Sequence, residues 1–169
     1  IDSGKANLVF VDIAFLGKDS IPASVATYCA EEQGKYWDYH GFLYSNQMSI
    51  DNGWANSDSL KGYASNLGLN MDMFVGCLDT SKYQKRVEFN TEEALRNGVT
   101  GTPTFFIVGP DNMQEKINGP QPFAVFEKII ESIGEHADFV NPEEIKNIIA
   151  GKTINKSSIL LTFDDSLRS

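Results

Sequence analysis

The stretch Gly98-Val-Thr-Gly-Thr-Pro-Thr-Phe-Phe-Ile-Val108 constrains the fold of this chain more than any other. Thr104 to Val108 is a run of β-branched and aromatic residues, which reads as a buried strand. Pro103 has no N–H to give to a ladder, so it belongs at the strand's start and not inside it. Gly98 and Gly101 bracket a tight approach, and the proline pushes Thr102 towards extended geometry. An ordinary trans proline at the mouth of a strand satisfies all of this. A cis Thr102–Pro103 bond would in addition present the Thr102 N–H and C=O as a short edge for an extended peptide.

With 169 residues, the chain is long enough for one good core. Its 41% hydrophobic and 22% charged residues are the mix of a globular domain, and no apolar run approaches the ~20 residues needed to span a bilayer. The net charge of −9 argues against nucleic acid or an anionic membrane as partner. The charge is dispersed and reads as a solvated surface. Cys29 and Cys77 are too far apart for a redox dithiol motif, and two cysteines alone make no zinc site. No cofactor is implied. The first residue is Ile1 and no signal peptide is visible, so the chain reads as processed or as a piece of something longer.

Asn7 to Phe15 is nearly all apolar, as in a strand covered on both faces; its Asp12 is expected to face solvent near the strand end. Ser20 is expected to cap a helix that has Pro22 in its first turn and stops near Gly34, with Ile21, Val25, Tyr28 and Cys29 at helical spacing. A second helix is expected over about 35–47. His40 on it has no nucleophile or metal-ligand partner nearby in the sequence, so it reads as a packed or capping histidine. A turn-rich polar stretch follows. Ser57 then caps a helix ending near Leu67, a short helix runs from Asn70 or Asp72 to Leu78, and a longer one from Lys82 is stopped by Gly98. Beyond the Thr104–Val108 strand come a turn at 109–112, a short returning strand from Gln114 to Ile117, and a closing helix from Gln121 to Ile133.

Three blocks carry a family resemblance. They are Gly98-Val-Thr-Gly-Thr-Pro-Thr-Phe-Phe-Ile107, the run Cys29-Ala-Glu-Glu-Gln-Gly-Lys-Tyr-Trp-Asp-Tyr-His-Gly-Phe-Leu-Tyr44 followed by Asn46-Gln47, and Gly119-Pro-Gln-Pro-Phe-Ala-Val-Phe-Glu-Lys-Ile-Ile130. In this order they resemble the DsbA-like branch of the thioredoxin fold over about residues 1–134. The resemblance implies an α/β thioredoxin-like fold with a helical insertion over about 20–98, an oxidising extracytoplasmic location and thiol–disulfide chemistry on extended peptide or unfolded protein. It also implies that Thr102–Pro103 is cis and that Thr102 and Pro103 shape the substrate groove. The family's Cys-x-x-Cys, at the start of a helix after an early strand, occurs nowhere in this sequence. The fold is therefore expected to be truncated at its N-terminal end. Cys29 and Cys77 both fall late in helices of the insertion, either as a structural disulfide or as two separate buried thiols.

The tail, about 137–169, has a different text. A short helix is expected over 139–149, with Pro142 in its first turn. Ser158-Ile-Leu-Leu-Thr-Phe-Asp-Asp-Ser166 resembles the opening of a NodB-type polysaccharide deacetylase. On that resemblance Asp164 is the general base and Asp165 a metal ligand, two adjacent carboxylates with different roles. The implied metal-binding histidines would lie downstream, so no deacetylase site is complete here. Ser166 stands where the resemblance implies glycine.

Three functions are compatible with these residues: a DsbA-like oxidoreductase without its dithiol in this chain, a peptide-binding or structural module that keeps the proline groove, and a fragment of a metal-dependent deacetylase. The missing early strand carries a structural expectation. In the thioredoxin fold it lies mid-sheet, between the equivalents of Asn7–Phe15 and Thr104–Val108. Two rows of unpaired backbone groups cannot stay empty in a core. Either Ser158–Phe163 fills the gap, within one molecule or in a strand-swapped homodimer, or the two apolar strands close up directly.

Overall fold

The computed structural model of the chain describes residues 7–109, 114–134 and 159–164. In chain order the elements are β1 (Asn7–Asp12), α1 (Ser20–Glu31), α2 (Tyr36–Asn46), α3 (Ser57–Asn66), α4 (Met71–Asp79), α5 (Gln84–Arg96), β2 (Thr104–Val108), β3 (Gln114–Asn118), α6 (Phe123–Gly134) and β4 (Ile159–Asp164). They fall into two compact units. One holds the sheet and α6, taking β1 through Val11 and the chain from Gly101 to Asp164; the other is the helical stretch Asp12–Thr100. The expected helix over 139–149 and the turn residues 110–112 lie outside the described residues.

In the sheet unit the strand order is β1-β4-β2-β3. β2 is the central strand. It pairs antiparallel with β3 from Thr104↔Asn118 to Val108↔Gln114. Its other edge pairs antiparallel with β4 from Thr104↔Phe163 to Val108↔Ile159. The strand from the far end of the chain thus lies between β1 and β2, and of the two expected outcomes it is the filled gap, not direct closure of β1 on β2, that forms. One face of β2 packs on α6: Ile107 and Ile133 are buried together, with Phe105, Ile117, Phe126, Ile129 and Ile130 around them. The Phe105 and Phe126 rings meet edge to face at 4.8 Å, the geometry that aromatic quadrupoles favour. On the same strand Phe106 is also buried, so β2 is covered on both faces as its unbroken apolar run requires.

In the helical unit α1 is the hub. It contacts α2, α3, α4 and α5. Nine of its twelve residues are buried, among them Ser20, Ser24 and Thr27 as well as the apolar positions. Small residues let four neighbours approach, and the Thr27 hydroxyl is satisfied by donating to the Ala23 carbonyl at 2.9 Å. Tyr39 of α2 is fully buried; its ring packs on Phe74 and its hydroxyl donates to the Leu60 carbonyl at 2.9 Å. Gly34 and Gly98 end their helices in the left-handed region, at φ +68° each. After Gly98 the Val99 N–H returns to the Ala94 carbonyl at 3.0 Å, a closure that an L side chain at the glycine would oppose.

Four local expectations need correction. Asp12 does not face solvent; it is 2% exposed. β1 stops at Asp12 and not Phe15, because the Ala14 N–H donates to Thr91 Oγ1 at 2.9 Å and is lost to any ladder. Asn56, not Ser57, caps α3, its side chain accepting from the Ser59 N–H. Asp19 occupies the cap position of α1 and Ser20 is the first helical residue.

Removing residues 159–169 strips five residues of β2 of their β4 partners. Buried backbone groups left without partners cost about 1–3 kcal/mol each. The shortened chain is expected to melt at lower temperature or to associate through the freed edge. An unchanged melting temperature and oligomeric state would show that β4 contributes nothing.

Candidate functional site

The start of β2 is built by the segment Gly101–Thr104. The Thr102–Pro103 peptide is cis. Thr104 is buried, and its hydroxyl donates to the Gly101 carbonyl at 2.6 Å, closing a small loop around the proline. The Pro103 carbonyl accepts from the Gly119 N–H at 2.8 Å, which ties the segment to the end of β3. Thr102 and Pro103 themselves are half-buried. A Cβ placed on Gly101 would meet no atom within 4 Å, so the space beside this bend is open. The sequence singled out Thr102 and Pro103 together, and here they form one corner at the start of the central strand.

The two cysteines are elsewhere and of another kind. Cys29 and Cys77 form a disulfide between α1 and α4, with Cα atoms 5.7 Å apart. They are 1% and 4% exposed. Each lies late in its helix, away from the N-terminal peptide dipoles that stabilise a reactive thiolate. Buried, enclosed by helices and lacking that field, the pair has the setting of a structural bridge.

His40 packs among the aromatic side chains of α2. Its ring stacks on Tyr44 at 4.4 Å and meets Trp37 nearly edge-on at 5.6 Å. Burial pushes its imidazole down to about 4, so the ring is neutral at physiological pH. Trp37 is 56% exposed, which gives α2 an aromatic shelf. Among the described residues no group of three or more His, Cys, Asp or Glu side chains is placed to hold a metal ion. Asp164 is the last residue of β4, and Asp165 lies outside the described residues. One cluster escaped the sequence reading: Asp12, Tyr28 and Asn90 share hydrogen bonds in the helical unit. The only signal for it was an acidic residue closing an otherwise apolar strand.

Residues 5–131 match the family described as the DSBA-like thioredoxin domain. The chain is 26% identical over 113 residues to a probable disulfide bond formation protein D of Bacillus cereus, an alignment covering 64% of this chain and 52% of that protein. It is 26% identical over 110 residues to disulfide bond formation protein D of Bacillus subtilis, covering 63% of this chain and 50% of that protein. It is also 33% identical over 87 residues to a Na(+)/H(+) antiporter NhaA of Herminiimonas arsenicoxydans, covering 52% of this chain and 13% of the antiporter. The chain thus spans about half the length of the disulfide bond formation proteins it matches, and a small part of the antiporter. It belongs to the DSBA-like thioredoxin domain family.

Two measurements test this description of the site. Replacing both Cys29 and Cys77 by alanine opens a bridge with a sequence separation of 48. A loop of that length is worth about 4 kcal/mol in the chain-entropy view. Denaturant unfolding of the double variant is expected to show most of that loss, and an unchanged midpoint would contradict it. For His40 the sign follows from its lowered pKa. Its contribution to stability is present above about 6.5, the unfolded value, and is lost as pH falls towards about 4. His40→Phe keeps an aromatic ring and removes the titration, so its stability profile is expected to be flatter across that window.

Proposed function

We propose that this DSBA-like thioredoxin domain serves thiol–disulfide chemistry on extended or unfolded protein outside the cytoplasm, and that the residues of this chain belong to the substrate-holding part of that activity. The observation that carries the reading is the family match over residues 5–131 in a sequence whose two cysteines are both used in a buried bridge. Exchange requires an accessible thiolate to attack a disulfide sulfur. Neither Cys29 nor Cys77 is accessible, and no Cys-x-x-Cys is present. The Bacillus relatives are disulfide bond formation proteins, which points to disulfide formation as the parent activity.

Thr102 and Pro103 are the residues assigned to substrate. They stand at the start of the central strand with open space beside Gly101. Backbone pairing of a cysteine-bearing peptide to such an edge gives affinity without demanding one sequence. An extracytoplasmic setting agrees with the disulfide, since such bridges persist in oxidising compartments. No helix among the described residues is long and apolar enough to cross a membrane. The deacetylase reading of the tail has less support: the family match covers residues 5–131 and does not reach Asp164 and Asp165.

The test is turnover and binding on the same preparation. The purified chain is expected to reduce insulin no faster than a free-thiol background. An unfolded peptide is expected to shift the amide resonances of residues 101–104. Catalytic insulin reduction would overturn the assignment of the cysteines. A peptide that binds while leaving 101–104 unperturbed would overturn the assignment of Thr102 and Pro103.

A further inference from the structure

Asp12 is a carboxyl group with little to hold a charge. It is 2% exposed. One of its oxygens, Oδ1, accepts from the Tyr28 hydroxyl of α1 and from Asn90 Nδ2 of α5, the latter at 2.9 Å. Asn90 Nδ2 also lies 3.1 Å from the Tyr28 hydroxyl, so the three side chains form a closed triangle. The other oxygen, Oδ2, is buried with no hydrogen-bond partner. Two residues on, the Ala14 N–H donates to Thr91 Oγ1, the neighbour of Asn90 on α5. The segment Asp12–Ala14 is thus pinned to α1 and α5 by side-chain hydrogen bonds.

Among the described residues, the charged and titratable groups around the triangle are Arg86, Glu31, Glu32, Tyr36 and Tyr83. Arg86 of α5 lays its guanidinium over the Tyr28 ring, 4.0 Å from the centroid, and is drawn outward by Glu31 at 3.6 Å. The Tyr36 and Tyr83 rings pack on Tyr28 from the other sides, at 6.1 and 5.5 Å. Tyr83 in turn donates to Glu32 at 2.7 Å. An ionised carboxylate here would keep one bare oxygen out of water, with the nearby cation sitting on the ring and not on the oxygen. Such an arrangement costs free energy that a proton removes.

We propose that Asp12, Tyr28 and Asn90 form a proton-dependent clasp: with a proton on Asp12 the segment Asp12–Ala14 is held on α1 and α5, and loss of that proton to solvent loosens α5. Burial raises the Asp12 carboxyl above its usual range, against the lowering effect of the hydrogen bonds from Tyr28, Asn90 and its own backbone N–H, and of Arg86. Burial together with the Asp12 carboxyl raises the Tyr28 hydroxyl, which stays a donor throughout. The sign follows. A carboxyl with a raised folded-state value stabilises the fold below the unfolded value of about 3.9, and the contribution is lost as pH rises through the folded value. This runs opposite to the His40 dependence, so the two are separable by variant.

Asp12→Asn mimics the protonated acid in shape and cannot titrate. In the full chain, α5 amides of the wild type are expected to exchange hydrogen several-fold faster than those of D12N at about pH 8, and equally at about pH 4. The urea midpoint of the wild type is expected to fall below that of D12N over the same rise. Tyr28→Phe, which removes a donor to the anion, is expected to steepen the pH dependence. Equal exchange and equal midpoints at both pH values overturn the clasp, as does a wild type firmer than D12N at the higher pH. Should D12N fail to fold, carboxyl-carbon NMR of the wild type decides: an Asp12 resonance titrating above the ordinary carboxylate range supports the clasp, and one titrating within or below it overturns it.

Discussion

The sheet depends on the need of β2 for partners on both edges. Thr104–Val108 is β-branched and aromatic, with Thr104, Phe106 and Ile107 buried. A strand in that position cannot leave a row of N–H and C=O groups without partners. β3 follows it at once and supplies one edge through a short return. The other edge is supplied by β4, which comes from more than fifty residues further along the chain. Its arrival also determines where β1 lies, because β4 and not β2 is the neighbour of β1. The corner at Thr102–Pro103 is tied to this arrangement on one side: the Gly119 N–H reaches the Pro103 carbonyl because β2 and β3 are in register, while the Thr104 hydroxyl bonds the Gly101 carbonyl locally.

The helical unit obeys a different constraint. α1 is buried on nearly every side, which requires small residues where neighbours cross and internal partners for every hydroxyl and carboxyl. Thr27 meets that condition within its own helix. Tyr39 meets it through a carbonyl of α3. Asp12 meets it with one oxygen only. The disulfide adds a covalent tie between α1 and α4 in the same layer, so the cysteines that might have suggested redox chemistry instead hold the hub in place.

Much of this was legible in the sequence where the signal was local. The extent of β2 follows from a β-branched and aromatic run bounded by proline and glycine. The ends of α1 and α5 follow from Gly34 and Gly98, which adopt the left-handed conformation that stops a helix. Thr102 and Pro103 were legible together because they are adjacent. Cap positions were less so. At the start of α3, Asn56 and Ser57 are neighbouring residues of equal capping ability, and the choice between them rests on which backbone N–H the chain path brings within reach.

The sequence by itself determined the element types, the central strand and the acidic, dispersed charge. The tertiary structure alone decided which distant groups meet. Whether Cys29 and Cys77 bond or stay apart depends on the crossing of α1 and α4, with 48 residues between them. Asp12 reads as a solvated strand end until Tyr28 and Asn90 close over it from sequence distances of 16 and 78. The physical reason is the range of the forces. Periodicity, proline and glycine act through dihedral angles within a few residues, whereas burial and pairing depend on what the remainder of the chain brings alongside.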